Sequence, residues 1–124
     1  MALHIIKSDE GETVERTGAA IFEGGQVWGR ALSGDHSDHV NANLVQFGPG
    51  ARAGWHLHTS DQVLFVVAGI GKVGDRAGEH VISSGDCVVV PAGDEHWHGA
   101  HDTGSPMSHL SIMAAGSETT VLDS

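Results

Sequence analysis

Histidine is the side chain in this sequence whose number and spacing best suit chemistry: ten histidines occur in 124 residues, and there is no tyrosine. His56 and His58 are two positions apart. Strand residues at this spacing project from the same face, so the two rings would lie side by side. Imidazole is the commonest transition-metal ligand in proteins. The His-x-His pair therefore predicts two adjacent ligands of a metal ion.

Two later residues complete a possible ligand set. Gln62 follows the tight connection 59–61 and begins an apolar run, so its amide can reach back toward the pair from the neighbouring strand. His96 comes directly after the turn 91–94. A barrel would bring it to the first three residues, because the interior faces of distant strands converge. We predict that one divalent transition metal ion is held by His56, His58, Gln62 and His96.

Two more histidines share strand faces with this site. His109 lies on one face with Met107 and Ser111, and an inward histidine among apolar neighbours is costly without a partner. This favours an acid/base role for His109. His98 points inward if His96 does, and it fits either a catalytic role or a hydrogen bond that orients the neighbouring ligand.

The elements that would position these residues are short β-branched or alternating runs, separated by glycine-containing turns at intervals of roughly ten residues. This rhythm predicts an all-β sandwich or barrel, and no segment has the sustained 3.6-residue apolar period of a helix. The predicted strands are 43–47, 55–58, 62–68, 70–73, 79–82, 87–90, 96–100 and 107–114. The predicted core is formed by Val63, Phe65, Val67, Val88 and Val90, with Cys87 in the same buried run.

Residues 1–40 have weaker signals. Segments 3–6 and 26–32 could be strands that pad the barrel or pair with a second subunit, and Gly24-Gly25 indicates a turn. Segment 35–39 contains two histidines and two aspartates. We interpret it as a solvated loop and not a second metal site, because no further ligand or rigid frame is evident nearby. The length favours a single domain over 1–124.

The charge and hydropathy of the chain exclude several partners. Sixteen acidic and six basic residues give a formal charge of −10, which repels phosphate backbones, so we expect no nucleic-acid partner. No stretch approaches the ~20 apolar residues of a membrane span, and the first twelve residues contain no hydrophobic leader run. We expect a soluble, cytoplasmic protein without membrane contact. Cys87 is the single cysteine and cannot form an intramolecular disulfide.

Two segments resemble the motifs of the cupin superfamily. Residues 50–69 contain a glycine, five residues and His-x-His, and they resemble the first motif; residues 85–100, with Pro91 and Gly93, resemble the second. The resemblance covers about residues 50–100. It implies a small single-domain cupin, an antiparallel β-barrel or jelly roll of roughly six to eight strands with the metal inside. It also implies a homodimer or higher homo-oligomer.

The cupin motif usually has glutamate where this sequence has Gln62. Three neutral imidazoles and a neutral amide leave the 2+ charge of an ion uncompensated by protein. Such an ion is more Lewis acidic and favours anionic ligands. Four protein ligands on an octahedral ion also leave two open positions, which is the arrangement of a catalytic site.

Three strings are similar to a narrower group, the small bacterial manganese-dependent cupin hydroxynitrile lyases. The strings are His56-Leu57-His58-Thr59-Ser60-Asp61-Gln62, His96-Trp97-His98-Gly99-Ala100 and Met107-Ser108-His109-Leu110. The resemblance implies manganese in a site of three histidines and one glutamine. It further implies a histidine on the last barrel strand that contacts cyanide or its proton, which is His109 by position. We therefore expect an enzyme that cleaves a carbon–carbon bond in a small organic molecule.

The metal ligands by themselves leave other functions open. A dioxygenase would use the same two open positions for substrate and dioxygen. A non-catalytic barrel that binds a small molecule would also fit. Iron, nickel, cobalt, copper and zinc accept histidine nitrogen as manganese does, so the choice of manganese rests on the resemblance.

Overall fold

The computed structural model describes residues 3–124 as a curled antiparallel sheet with no helix among them. Residues 1 and 2, where the predicted single domain begins, lie outside the described residues. The strands are β1 (Val14–Glu15), β2 (Phe22–Glu23), β3 (Val27–Ala31), β4 (Val40–Phe47), β5 (Arg52–His58), β6 (Gln62–Asp75), β7 (Gly78–Ser83), β8 (Cys87–Val90), β9 (His96–Ala100), β10 (Met107–Ala114) and β11 (Thr119–Val121). The predicted all-β, antiparallel barrel is confirmed.

Strand β6 joins the two walls of the barrel. The strands follow the order β1-β3-β4-β10-β6-β9-β5-β11. The first half of β6 pairs with β10 and β8, and its second half pairs with β9 and β7. Between the halves, Gly69 has a φ of 82°, and a Cβ there would clash with the carbonyl oxygen of Pro106. Only glycine fits this bend, which lets the two predicted runs 62–68 and 70–73 form one strand.

The predicted core of β6 was wrong in its parity. Gln62, Leu64 and Val66 point inward and are buried, whereas Phe65 and Val67 are 38% and 43% exposed. Alternate strand residues share a face, so an inward Gln62 requires its odd-numbered neighbours to point outward. Val63 is only half-buried on that outer face. The buried apolar cluster consists of Val27, Phe47, Ala51, Ala53, Val66, Val73, Ile82, Ala100 and Met107.

The same parity corrects strand β8. Val90 is buried as predicted, and Val88 is half-buried and packs against the core. Cys87 is exposed and not buried, because it pairs with Phe65 on the outer face. Here the predicted strand boundaries were correct and the predicted burial of the cysteine was wrong.

The flanking segments add short strands to both sides of the sheet. Strand β3 confirms the predicted strand at 26–32, whereas segment 3–6 forms no strand. Strands β1, β2 and β11, which pair with β3, β5 and β5, were not predicted. Segment 35–39 lies outside the strands and is largely exposed, as predicted for a loop. None of the described residues forms a helix long and apolar enough to span a bilayer.

Candidate metal centre

Three buried histidines meet on the inner face of the barrel. His56 and His58 lie two apart on β5, and His96 on β9 pairs directly with His56 across the sheet. One ligand nitrogen of each ring lies within 4.8 Å of the others. The strand pairing therefore brings together residues that are 38 to 40 positions apart in the sequence, and the three histidines are placed to bind a metal ion.

Contacts at Nδ1 turn the Nε2 atom of each ring toward the cluster. His56 Nδ1 donates to the carbonyl oxygen of Gly54 at 2.6 Å, and His96 Nδ1 donates to that of Asp94 at 2.9 Å. A carbonyl can only accept, so in the neutral rings Nε2 keeps its lone pair. His58 Nδ1 contacts the Thr119 hydroxyl oxygen at 2.7 Å, and its buried Nε2 has no hydrogen-bond partner among the described residues. These convergent nitrogens fit a divalent transition metal.

Gln62 presents its amide oxygen to the same point. Gln62 Nε2 donates to the Ser111 hydroxyl at 2.9 Å, and its Oε1 lies 3.1 Å from His96 Nε2. Both Oε1 and an unprotonated Nε2 are lone-pair donors, so they repel each other unless a cation or a proton lies between them. The contact is therefore the second observation that fits a bound cation.

Burial keeps the three imidazoles neutral. Desolvation lowers the pKa of His56 to about 3, and a smaller contribution comes from the charges that His96 and His58 would carry. Desolvation also lowers the pKa of His58 and His96 below the usual range. A metal ligand must be unprotonated, so the three rings can bind a cation at neutral pH without first losing a proton.

A second histidine pair lies beside the cluster. His98 on β9 and His109 on β10 are buried, and His109 Nε2 lies 3.1 Å from His98 Nδ1. Phe47 packs against both rings, with centroids 5.9 Å and 5.3 Å away. Desolvation is the largest cause that lowers the pKa of His98 well below its ordinary value and that of His109 to about 4. The outer nitrogens, His98 Nε2 and His109 Nδ1, have no hydrogen-bond partner within the described chain.

Both groups open onto one cavity of about 350 Å³. Residues from each group line it, namely His56, His58, Gln62, His98 and His109. Apolar side chains supply other parts of the wall, among them Ile21, Phe22, Val45, Ala53 and Met113. A small organic molecule in this cavity would touch the candidate metal ligands and the histidine pair together.

The six residues predicted from the sequence are all buried at this cavity or beside it. The sequence did not predict two polar residues that form hydrogen bonds with these side chains. Ser111 was assigned to the inward face of its strand, but its contact with Gln62 depends on the pairing of β10 with β6. Thr119 had no local signal, because it lies in a polar C-terminal segment whose pairing with β5 the sequence does not indicate. Trp55 and Trp97, each next to a cluster histidine in the sequence, stack under Arg76 and Arg52.

An antiparallel β-barrel with a histidine cluster on its inner face is the arrangement that the cupin resemblance implies. A comparison of sequences agrees with this class. The cupin domain family model matches residues 43–113, more than half of the chain. The chain belongs to the cupin family.

Individual relatives refine this assignment. A 70-residue segment is 45% identical to a protein of Granulicella tundricola named (R)-mandelonitrile lyase. The match covers 56% of this chain and spans about half (53%) of that relative. A cupin-like protein from Thermotoga maritima superposes with a TM-score of 0.80 at 28% identity, covering 93% of this chain and 89% of the other. A cupin-superfamily sugar phosphate isomerase from Silicibacter pomeroyi gives 0.79 at 25%, covering 98% and 83%.

Proposed function

We propose that this protein is a metal-dependent lyase that cleaves a small hydroxynitrile into a carbonyl compound and hydrogen cyanide. The observation that carries the proposal is the placement of the His98–His109 pair on the same cavity as the metal-competent histidines. The relative named (R)-mandelonitrile lyase supports the same chemistry over the half of its length that matches. Reversal of the reaction would form the carbon–carbon bond.

The proposed ligands are the three histidines of the cluster and the amide oxygen of Gln62, with manganese as the metal. Ser111 accepts a hydrogen bond from the amide nitrogen, and this leaves the oxygen facing His96 Nε2. Neutral nitrogen and oxygen ligands are acceptable to manganese. When bound here, the ion supplies Lewis acidity toward an oxygen or cyanide group of the substrate, and no protein charge in this ligand set offsets its own.

The histidine pair is suited to move a proton because both rings are neutral. Each neutral imidazole has one N–H and one lone pair, and the contact between the rings uses one of each. The two outer nitrogens must then be one acceptor and one donor. When the shared proton moves from one ring to the other, the ring that receives it loses its outer proton and the other ring gains one. The two outer nitrogens thereby exchange their roles as donor and acceptor. The pair can therefore accept a proton from a substrate and return one to a product.

The bond changes balance with these two residues alone as the acid and base. The accepting nitrogen of the pair takes the hydroxyl proton of the hydroxynitrile, and the O–H electron pair becomes the second carbon–oxygen bond. The electron pair of the carbon–carbon bond leaves with cyanide. An N–H of the pair then protonates the cyanide, which restores two neutral rings. His109 and His98 are the proposed catalytic residues, with His109 as the primary acid/base.

The test is an assay of metal-loaded and chelator-stripped protein on (R)- and (S)-mandelonitrile. We expect release of benzaldehyde and cyanide from the loaded form without consumption of dioxygen. Oxygen consumption without cyanide release would replace the proposal with a dioxygenase. Binding of the nitrile without turnover would identify a binding barrel instead.

A further inference from the structure

The three cluster histidines differ in the group that their Nδ1 atom contacts. His56 and His96 use backbone carbonyl oxygens two residues earlier in the chain, those of Gly54 and Asp94. His58 uses the hydroxyl of Thr119, a residue 61 positions later in the chain. Thr119 begins β11 and pairs directly with His58. It lies outside residues 43–113, over which the chain matches the cupin family.

A hydroxyl constrains an imidazole differently from a carbonyl, because it can either donate or accept. If His58 Nδ1–H donates to Thr119 Oγ1, then Nε2 keeps a lone pair directed into the cluster. If the hydroxyl donates instead, Nε2 has the proton and cannot bind a cation. Only the first arrangement suits a metal, so the Thr119 hydroxyl serves the site by accepting.

We propose that Thr119 is a positioning residue of the metal centre, whose hydroxyl holds His58 with its Nε2 lone pair turned toward His56 and His96. This inference rests on the metal site of the proposed function and not on the identity of the substrate. Partners that orient metal-bound histidines typically change metal affinity by 10–100-fold when they are removed.

The backbone around Thr119 does not depend on its side chain. The Thr59 backbone N–H donates to the Glu118 carbonyl at 2.9 Å, and the Glu118 N–H donates to the Thr59 hydroxyl at 2.9 Å. Further along, the Leu122 N–H donates to the Trp55 carbonyl at 2.9 Å. These bonds hold β11 on β5, so Thr119→Val should leave the strand in place while it removes the hydroxyl.

The test measures metal affinity directly. Chelator-stripped protein is titrated with Mn²⁺, or with Zn²⁺ as a tighter-binding probe, in competition with a chromophoric chelator. Thr119→Val should bind about 10–100-fold more weakly than wild type, and Thr119→Ser should recover most of that loss. Thr120→Val is the matched control, because Thr120 is the next residue of the same strand, is exposed as Thr119 is, and points to the opposite face of the strand. It should bind as wild type does.

A second readout separates orientation from general destabilisation. In Zn²⁺-loaded protein labelled with ¹⁵N, the His58 Nδ1–H should exchange slowly with water in wild type and Thr119→Ser, where the hydroxyl accepts from it, and faster in Thr119→Val. Wild-type affinity in Thr119→Val, equal weakening in Thr120→Val, or no recovery in Thr119→Ser would each overturn the proposal, as would a wild type that binds neither ion. If the affinities change as expected but no form turns over mandelonitrile, Thr119 stands and the lyase proposal fails.

Discussion

Two groups of buried histidines face one cavity, and they differ in how their nitrogens are satisfied. In the cluster, each Nδ1 contacts an oxygen of the protein and each Nε2 is directed at the other members. In the pair, His98 and His109 contact each other, and their outer nitrogens have no partner within the described residues. Hydrogen bonds to protein oxygens orient the rings of the cluster, whereas only the contact between the two rings and the surrounding packing orient the pair.

This difference indicates two kinds of chemistry in one barrel. Fixed Nδ1 protons leave converging lone pairs, and converging lone pairs favour a cation. A shared proton between two neutral rings leaves the location of that proton open, and this favours proton transfer. Substitutions in the two groups should therefore have separable effects.

The largest expected effect is loss of the metal. His58→Ala removes one of three converging nitrogens, so metal affinity should fall by more than the roughly 100-fold typical of an orienting partner. Metal content and circular dichroism would be measured on the same sample. The barrel should stay folded, because its apolar cluster contains none of these histidines. His80→Ala, which changes an exposed histidine, is the control, and full occupancy in His58→Ala would remove His58 from the site.

The next effect separates the pair from the cluster. His109→Ala should lower turnover by about 10²–10⁴-fold at unchanged metal content, the range for loss of a positioned acid or base. Rates per folded, metal-loaded molecule exclude effects of stability. If His109→Ala keeps wild-type turnover while His98→Ala loses it, the primary acid/base role moves to His98. If both keep it, the pair has no part in the reaction.

A third prediction concerns the stability of the metal-free protein. The pKa of His109 is about 4 in the folded state against an ordinary 6.5, so below pH 6.5 the unfolded chain binds more protons. The stabilisation from neutral His109 is complete above pH 6.5 and is lost as the pH falls toward 4. The contribution of His109 should fall by about 2 kcal/mol between about pH 7.5 and about pH 5.

Urea denaturation of the chelator-treated protein at the two pH values would measure this change. His109→Asn removes the titrating group, so its loss of stability over the same interval should be smaller by that amount. An identical pH dependence in the two proteins would contradict a neutral, buried His109.

The smallest effect should come from a change of charge in the cluster. Gln62→Glu keeps an oxygen donor but cancels one unit of the positive charge of the ion, so azide or cyanide should bind at least about tenfold more weakly. Spectroscopic titration of the metal-loaded protein would measure this affinity, with metal content determined alongside. Tighter anion binding in the glutamate form would show that electrostatic attraction does not control the open positions.

Local signals in the sequence were sufficient for the central strands. The boundaries of β8, β9 and β10 were correct because each run lies between clear turn residues. The inward position of His98 followed from that of His96 by strand parity. The same parity places Phe65 on the face opposite Gln62, so the predicted core of β6 was on the wrong face. The sequence of β6 is apolar on both faces, so hydrophobicity alone could not choose between them.

The sequence by itself determined the type of protein and the residues offered to a metal. Those properties depend on residue identity, on spacings of two and on turn-forming glycines, all of which are local. Only the tertiary structure decided which hydroxyl meets which ligand. Ser111 reaches Gln62 across 49 positions, and Thr119 reaches His58 across 61, through strand pairings. A pairing register is set by the packing of the whole barrel, because a shift of one residue would reverse the face of every side chain in the strand.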